Sequence, residues 1–412
     1  MRIERKSMVP VTAMIVFSYY PADNRVRREA EALAEAGISV DVICLRKENE
    51  SAKQVLGGIT VHRLPLSRKR ASALRYIWEY LFFFVLAMAR VSRLHVKRGY
   101  DVVHVHNMPD FLVFSALVPK LTGSKVILDL HDPMPEVYMT KYSIGIRHPV
   151  IWLLRAVERW SIRFSDLVLT PNVAFLDLFA SRSCPESKIH VVMNSPDTKI
   201  FRTSNAQSYR GTLPEKRGFA LMYHGTIVER HGLDTALGAM ARIRSEIPNL
   251  VFHVYGEGDF VKQFLEQVDR LNLQNIVIYH GHVPAEVIAE SIDAIDGGII
   301  PNKRSVFTEI NLPTRIFEYL CMGKPIIAPR TKGIMDYFDD SSIYFFEPGS
   351  EESLARVILS MYRDPMCTQF VLKKGMEVYH HHMWETEKQR LVDLVTRLTK
   401  KGMSSSLGVA MP

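Results

Sequence analysis

The sequence predicts an α/β protein made of two doubly wound domains, each a parallel sheet covered by helices on both faces. Three observations carry this. Short apolar runs alternate with amphipathic helical patterns through both halves of the chain. A polar stretch without periodicity, residues 199–216, separates the halves. The length, 412 residues, suits about two domains.

In the first half, Val11 to Tyr19 is an apolar run that reads as a buried strand. Asp23 or Asn24 caps a helix whose Val26, Ala30, Leu33 and Ala34 share one face, and Gly37 ends it. Ser39 to Leu45 is the second strand, followed by a basic loop and a long helical segment over residues 72–97. Strands are predicted at Asp101 to Val105, Lys125 to Leu130, Asp166 to Thr170 and His190 to Asn194. Helices between them are predicted at Phe111 to Leu121, Pro149 to Phe164 and Ala174 to Ser181. The domain boundaries read as 1–198, a linker 199–216, a second domain 217–385, a final helix 386–400 and a tail 401–412.

The second half repeats the alternation without repeating the sequence. Its strands are Phe219 to His224, Leu250 to Tyr255, Ile276 to His280, Asp296 to Pro301, Pro325 to Ala328 and Ile343 to Phe346. Its helices are Leu233 to Ser245, Phe260 to Asn272, Ala285 to Ile292, Thr314 to Met322 and Glu351 to Tyr362. Ligands of such sheets bind off the carboxyl ends of the strands.

Composition narrows the partners. The net charge is +8, which suits phosphates, anionic lipid or nucleic acid without choosing among them. No nucleic-acid-binding motif is present. The four cysteines lie far apart with no Cys-x-x-Cys, which argues for a reducing, cytoplasmic compartment and against a disulfide framework or a cysteine zinc site. The most apolar run, Tyr80 to Ala89, falls short of the ~20 residues that cross a bilayer. Arg68, Lys69 and Arg70 precede this aromatic helix, which fits a core helix of the sheet or a peripheral contact at the inner face of a membrane. His380 to His382 are adjacent and do not converge, and no Asp-x-Asp stands at a strand end. No metal and no cofactor is therefore expected.

The richest stretch is Phe307 to Pro329. A polar loop enters a short helix near Pro313, where a first turn tolerates proline, and Gly323 stands where a left-handed C-cap is wanted. The helix start at Asn311, Leu312, Pro313 and Thr314 offers N–H groups that suit a diphosphate. Glu318, about one and a half turns further on, is placed to accept two hydrogen bonds from a ribose diol. Gly256 and Gly258, after the strand ending at Tyr255, permit close approach of backbone to a ligand. Asp23 and Arg25 leave the first strand, and Arg25 with Arg28 suits an anionic acceptor.

The run Glu318-Tyr319, Gly323-Lys324-Pro325-Ile326-Ile327-Ala328 resembles the donor-sugar motif of retaining family 4 glycosyltransferases, the large GT-B group. The resemblance extends from Ile15 to about Trp384. It implies a GT-B fold, two Rossmann-like domains facing each other across a cleft, with the last helix crossing back to the first domain. It implies that Glu318 holds the ribose of a nucleotide diphosphate sugar. The motif's first Glu is absent: Ile310 stands there, with Glu309 one residue earlier, so either Glu309 or backbone near Asn311 and Leu312 meets the donor sugar. His131, at the end of the strand KVILDL, matches the family's histidine that contacts sugar or acceptor, and Asp132 and Glu136 become candidates for acceptor hydroxyls. His106, in His-x-His, matches a scaffold position. In the loop after His224 the family's Gly, Arg and Lys positions carry Gly225, Thr226 and His231, which leaves Arg230 as the cation for the diphosphate. Val283 matches a backbone contact to the base.

The implied activity is transfer of a sugar to an acceptor hydroxyl with retained configuration, in polysaccharide, cell-envelope or lipid-linked glycan synthesis. A nucleotide-sugar epimerase of the same fold and a non-catalytic glycan-assembly subunit are the alternatives.

Overall fold

The computed structural model describes residues 9–67, 73–201 and 218–407. The chain forms two compact units: unit 1 runs to Met193 and resumes at Glu385, and unit 2 is Asn194–Trp384. Most of the expected linker lies outside the described residues, as do Arg68, Lys69 and Arg70 and the last residues of the expected tail.

Unit 1 begins β1 (Val11–Tyr19), α1 (Asn24–Glu35), β2 (Ser39–Leu45), β3 (Lys53–Leu56), β4 (Ile59–Leu64) and α2 (Ala73–Arg98). It continues with β5 (Val102–His106), a 3₁₀ turn (Asp110–Ala116) leading into α3 (Leu117–Leu121), β6 (Lys125–Asp129), α4 (Met134–Tyr142) and α5 (Pro149–Phe164). β7 (Leu167–Thr170), α6 (Val173–Arg182) and β8 (Ile189–Val191) complete the first pass. The sheet order is β3-β4-β2-β1-β5-β6-β7-β8, parallel except for β3 against β4. Three elements depart from expectation. The helix predicted over Phe111 to Leu121 is a 3₁₀ turn as far as Ala116 and an α-helix only from Leu117. The supposed loop after β2 contains the β3–β4 hairpin, turned at Gly57 and Gly58, both at positive φ. The Pro-rich stretch after His131 is α4, which accepts Pro135 in its first turn.

Unit 2 holds β9 (Ala220–His224), α7 (Leu233–Ile243), β10 (Val251–Tyr255), α8 (Val261–Arg270), β11 (Val277–Gly281), α9 (Ala285–Asp293) and β12 (Gly297–Ile299). Then come α10 (Arg315–Cys321), β13 (Ile326–Pro329), α11 (Lys332–Met335), β14 (Tyr344–Phe346), α12 (Glu351–Arg363) and α13 (Pro365–His381). Its six strands run in the order β11-β10-β9-β12-β13-β14, all parallel.

The same device sets strand register in both units. Asp101, Asp166 and Asp296 each stand just before a strand. Their carboxylates accept the N–H of Val11, Val126 and Ala220 in the neighbouring strand, at 2.9, 2.8 and 2.8 Å. Their own N–H groups donate back to the carbonyls of those same residues. Each reciprocal pair satisfies backbone groups at the amino end of the sheet, opposite the ligand-binding end.

The last helix, α14 (Trp384–Leu407), extends past the expected end near residue 400. Leu391 and Val395 are fully buried against Val26, Ala30 and Leu33 of α1 and against β1 and β2. Glu387, fully buried, accepts the N–H of Met193 at 3.0 Å.

Candidate active site

In unit 2 the carboxyl end of β9 meets α10. Glu318 Oε2 lies 2.6 Å from His224 Nε2. The Tyr319 hydroxyl, fully buried, donates to the Met222 carbonyl at 2.9 Å and lies 2.9 Å from His224 Nδ1. His224 and Tyr319 thus form a bracket that aims Glu318. Arg315 donates from Nη1 to the His224 carbonyl at 2.6 Å, with its guanidinium 4.7 Å from the centre of the Tyr223 ring. A Cβ on Gly225 would come within 2.8 Å of that guanidinium, so glycine is what lets Arg315 lie over the loop. His231 binds the Thr226 carbonyl through Nδ1 at 2.6 Å. Burial, then the charge of Arg315 and of Arg230, pushes its pKa down to about 3, so the imidazole is neutral and the two guanidiniums are the cations of the loop. Thr226 is exposed.

The α10 helix begins one residue later than expected, with Thr314 at the cap and Pro313 before it. Gly323 has φ +67°, the left-handed cap predicted from the sequence. Gly256 and Gly258 meet neighbouring backbone closely. A Cβ on Gly256 would fall 1.9 Å from the Gly225 carbonyl oxygen, and on Gly258 2.0 Å from that of Ile227. These glycines seat the β10 loop on the β9 loop. Glu309 is committed locally: Oε1 accepts the N–H of Lys332 at 3.1 Å, and Oε2 lies 3.0 Å from Arg304. Asn311 and Leu312 are half-buried, and Gly333 packs against the carbonyls of Ile310 and Asn311. Val283 is half-buried after β11.

In unit 1 the carboxyl ends of β5 and β6 gather His104, His106, Asp129 and His131, joined by Glu29 of α1. Asp129 Oδ2 lies 3.4 Å from His104 Nε2, 3.3 Å from His106 Nδ1 and 3.4 Å from His131 Nε2. His106 Nδ1 and His131 Nε2 are 3.1 Å apart. Burial raises the Asp129 carboxyl, but His131, His104 and His106 outweigh it and hold the group well below the usual range. Burial and the nearby Asp129 charge keep Glu29 protonated well above it. Burial lowers His131 to about 3 and His104 to about 4, so both rings are neutral near pH 7. Among the described residues, Glu29, His106, Asp129 and His131 form a buried group whose ligating atoms lie within 4.8 Å of one another, close enough to hold a metal ion. The charge of Arg25 already acts on Asp129 and His131. Asn107 staples the two strand ends, accepting the N–H of His131 at 2.8 Å and donating to the Asp132 carbonyl at 2.7 Å.

Two acceptor candidates have structural work. Glu136, 2 % exposed, is gripped through both oxygens by Arg182 at 2.6 and 3.0 Å, and Arg182 also pairs with buried Glu158. A carboxylate so committed does not bind acceptor hydroxyls, which corrects that expectation. Asp23 caps α1, accepting the N–H of Arg25 at 3.3 Å, and lies 3.5 Å from its guanidinium. Sequence reasoning missed Asp129, His224 and Arg315. Each stands beside a residue it did select, Asp129 two before His131, His224 just before Gly225, and Arg315 one turn before Glu318.

Comparison with solved structures defines the class. Sucrose-phosphate synthase from Thermosynechococcus elongatus superposes with a TM-score of 0.77 at 19% identity, over 95% of this chain and 100% of that one. Anabaena HepE, solved in complex with UDP, superposes at 0.69 with 15% identity, over 94% and 100%. The architecture is that of the GT-B glycosyltransferases. Residues 22–195 match the glycosyl transferase 4-like domain, and residues 206–374 match the glycosyl transferases group 1 model. The chain is a glycosyltransferase that carries a 4-like domain in its first half and a group 1 domain in its second. Among curated relatives, the chitobiosyldiphosphodolichol beta-mannosyltransferase of Candida albicans is 19% identical, over 81% of this chain and 77% of that protein. The glycogen synthase of Mycobacterium tuberculosis is 21% identical, over 69% and 66%. No helix among the described residues is long and apolar enough to cross a membrane.

Proposed function

We propose that the enzyme transfers a sugar from a nucleotide diphosphate sugar to an acceptor hydroxyl, with retention, in the assembly of a polysaccharide, cell-envelope or lipid-linked glycan. The observation that carries the reading is Glu318, bracketed by His224 and Tyr319, beside a glycine loop flanked by Arg230 and Arg315. A carboxylate suits a ribose diol, and two guanidiniums suit a diphosphate leaving group without a metal. Backbone at Asn311 and Leu312 is assigned to the donor sugar in place of Glu309. The acceptor is assigned to unit 1, around neutral His131, Asp132 and Arg25. A neutral imidazole can both donate to and accept from sugar hydroxyls. The name of one relative, the chitobiosyldiphosphodolichol beta-mannosyltransferase, favours a lipid-linked acceptor, and such an acceptor is assigned to the inner, cytoplasmic face of a membrane.

The test is a thermal-shift panel with UDP, GDP, ADP and dTDP in the presence of a chelator. Ligand at a hundred times its dissociation constant adds about 2.7 kcal/mol to stability. A shift with one nucleotide identifies the base and starts the sugar screen, and the anomeric configuration of the product then reports retention. No shift with any of them overturns the donor site. Turnover of a nucleotide sugar without acceptor, to an epimer, would mark the epimerase.

A further inference from the structure

One face of the unit 1 sheet is covered by α2, α3 and α5, with α2 and α5 both packed on the Asp110–Ala116 turn. The outer surface of this layer is apolar and basic. On α5, Trp152 is 72% exposed and Trp160 65%, eight residues apart and so on one stripe. Beside them run Arg155, Arg159 and Arg163 at four-residue spacing, the last two exposed. On α2, Ile77, Leu81 and Val85 form one exposed stripe, with Trp78 (71% exposed) and Phe82 alongside. The loop into α5 adds exposed Ile146 and Arg147.

The acids are the telling part. Residues 73–98, 110–121 and 134–164 contain Glu79, Asp110, Glu136 and Glu158, and all four are buried. Glu79 pairs with Arg75, and Glu136 and Glu158 pair with Arg182. Outward-facing charge on this layer is therefore positive only. A monomer that shows water three tryptophans and an aliphatic stripe on helices packed against the same turn exposes more apolar surface than solubility favours.

We propose that the α2–α3–α5 face is a docking surface for an anionic lipid bilayer, with Trp152 and Trp160 at headgroup depth and Arg159 and Arg163 on lipid phosphates. Tryptophan suits the membrane interface, and a basic apolar helix lies in its plane. A second copy of the chain fits less well, because a two-fold interface on this face would set like charges against each other. Nucleic acid offers no complement to the aliphatic stripe. The inference rests on the membrane-face reading proposed above and assigns it to named residues.

The experiment is sedimentation of the full chain with vesicles of phosphatidylglycerol and phosphatidylcholine in equal parts, against phosphatidylcholine alone, at low salt. Wild type should co-sediment with the anionic vesicles. Trp152→Glu/Trp160→Glu should lose at least tenfold in partitioning. Arg159→Gln/Arg163→Gln should lose about thirtyfold on anionic vesicles and little on neutral ones. All four positions are on the surface, and an unchanged circular-dichroism spectrum and melting temperature show that each variant is folded. Wild type that binds no vesicle overturns the membrane-face reading and this inference together. Binding that survives both double variants leaves a membrane contact but overturns this surface. A wild-type dimer, seen by light scattering, that the tryptophan variant dissociates would reassign the face to contact between copies.

Discussion

Removing the Glu318 carboxylate should weaken nucleotide binding through the ribose, and the size of the effect follows from the geometry. Glu318 Oε2 sits 2.6 Å from His224, which fixes the carboxylate and leaves lone pairs for a diol. A hydrogen bond to an ionised group contributes about 1.5–3 kcal/mol, so loss of two could remove ~3 kcal/mol. Residual binding through base and diphosphate sets the more cautious expectation of at least tenfold, about 1.4 kcal/mol. The assay is calorimetric titration of wild type and Glu318→Ala with the nucleotide that shifts stability, and with its 2′,3′-dideoxy form. Wild type should bind the dideoxy nucleotide about as weakly as Glu318→Ala binds the full one. The substitution should add nothing further against the dideoxy ligand, because the partner groups are already gone. Equal losses with both ligands would refute the reasoning, since the carboxylate would then act on the fold of the loop rather than on the diol.

Other outcomes follow from the same structure. Tyr319→Phe orphans the Met222 carbonyl and one nitrogen of His224, and should cost unit 2 about 1–3 kcal/mol in denaturant unfolding. Arg182→Met leaves Glu136 and Glu158 buried without their cation, and should destabilise unit 1 by about 3–5 kcal/mol. His131 has a folded pKa of about 3 against an ordinary 6.5, so the unfolded chain binds more protons between those values. Its contribution is intact above pH 6.5 and is lost as pH falls toward 3. Unfolding free energy measured from pH 7 to pH 4 should therefore fall, and His131→Asn should flatten that slope by up to one proton, ~1.4 kcal/mol per pH unit.

The fold was legible where a local pattern sufficed. Pro149–Phe164 begins with the proline a helix start favours and was read to the residue. The Gly57-Gly58 hairpin carried its own turn signal between the short runs Val55-Leu56 and Ile59-Thr60-Val61, but its first strand is only four residues long and the segment read as a loop. The α4 helix was hidden by two prolines whose helical use depends on where the chain enters. The site was legible residue by residue and illegible as pairs. Glu318 and His131 announced themselves at strand and helix ends. Their partners did not, because His224 lies 94 residues from Glu318 and Arg182 lies 46 from Glu136. Nothing along the chain says that Glu136 is spoken for, nor that Gly256 makes room for a neighbouring carbonyl.

The return of α14 to unit 1 bears on how the protein is made. Leu391 and Val395, both at 0% exposure, belong to the core that also contains Val26, Ala30 and Leu33. Each buried aliphatic side chain contributes about 1.5–3 kcal/mol. On the ribosome, the first unit to emerge therefore lacks part of its own interior until the second has been translated in full. The unit synthesised second is the one able to finish folding first. A chain cut short after Trp384 would spare every strand of both sheets, yet the damage would appear in the half made earliest.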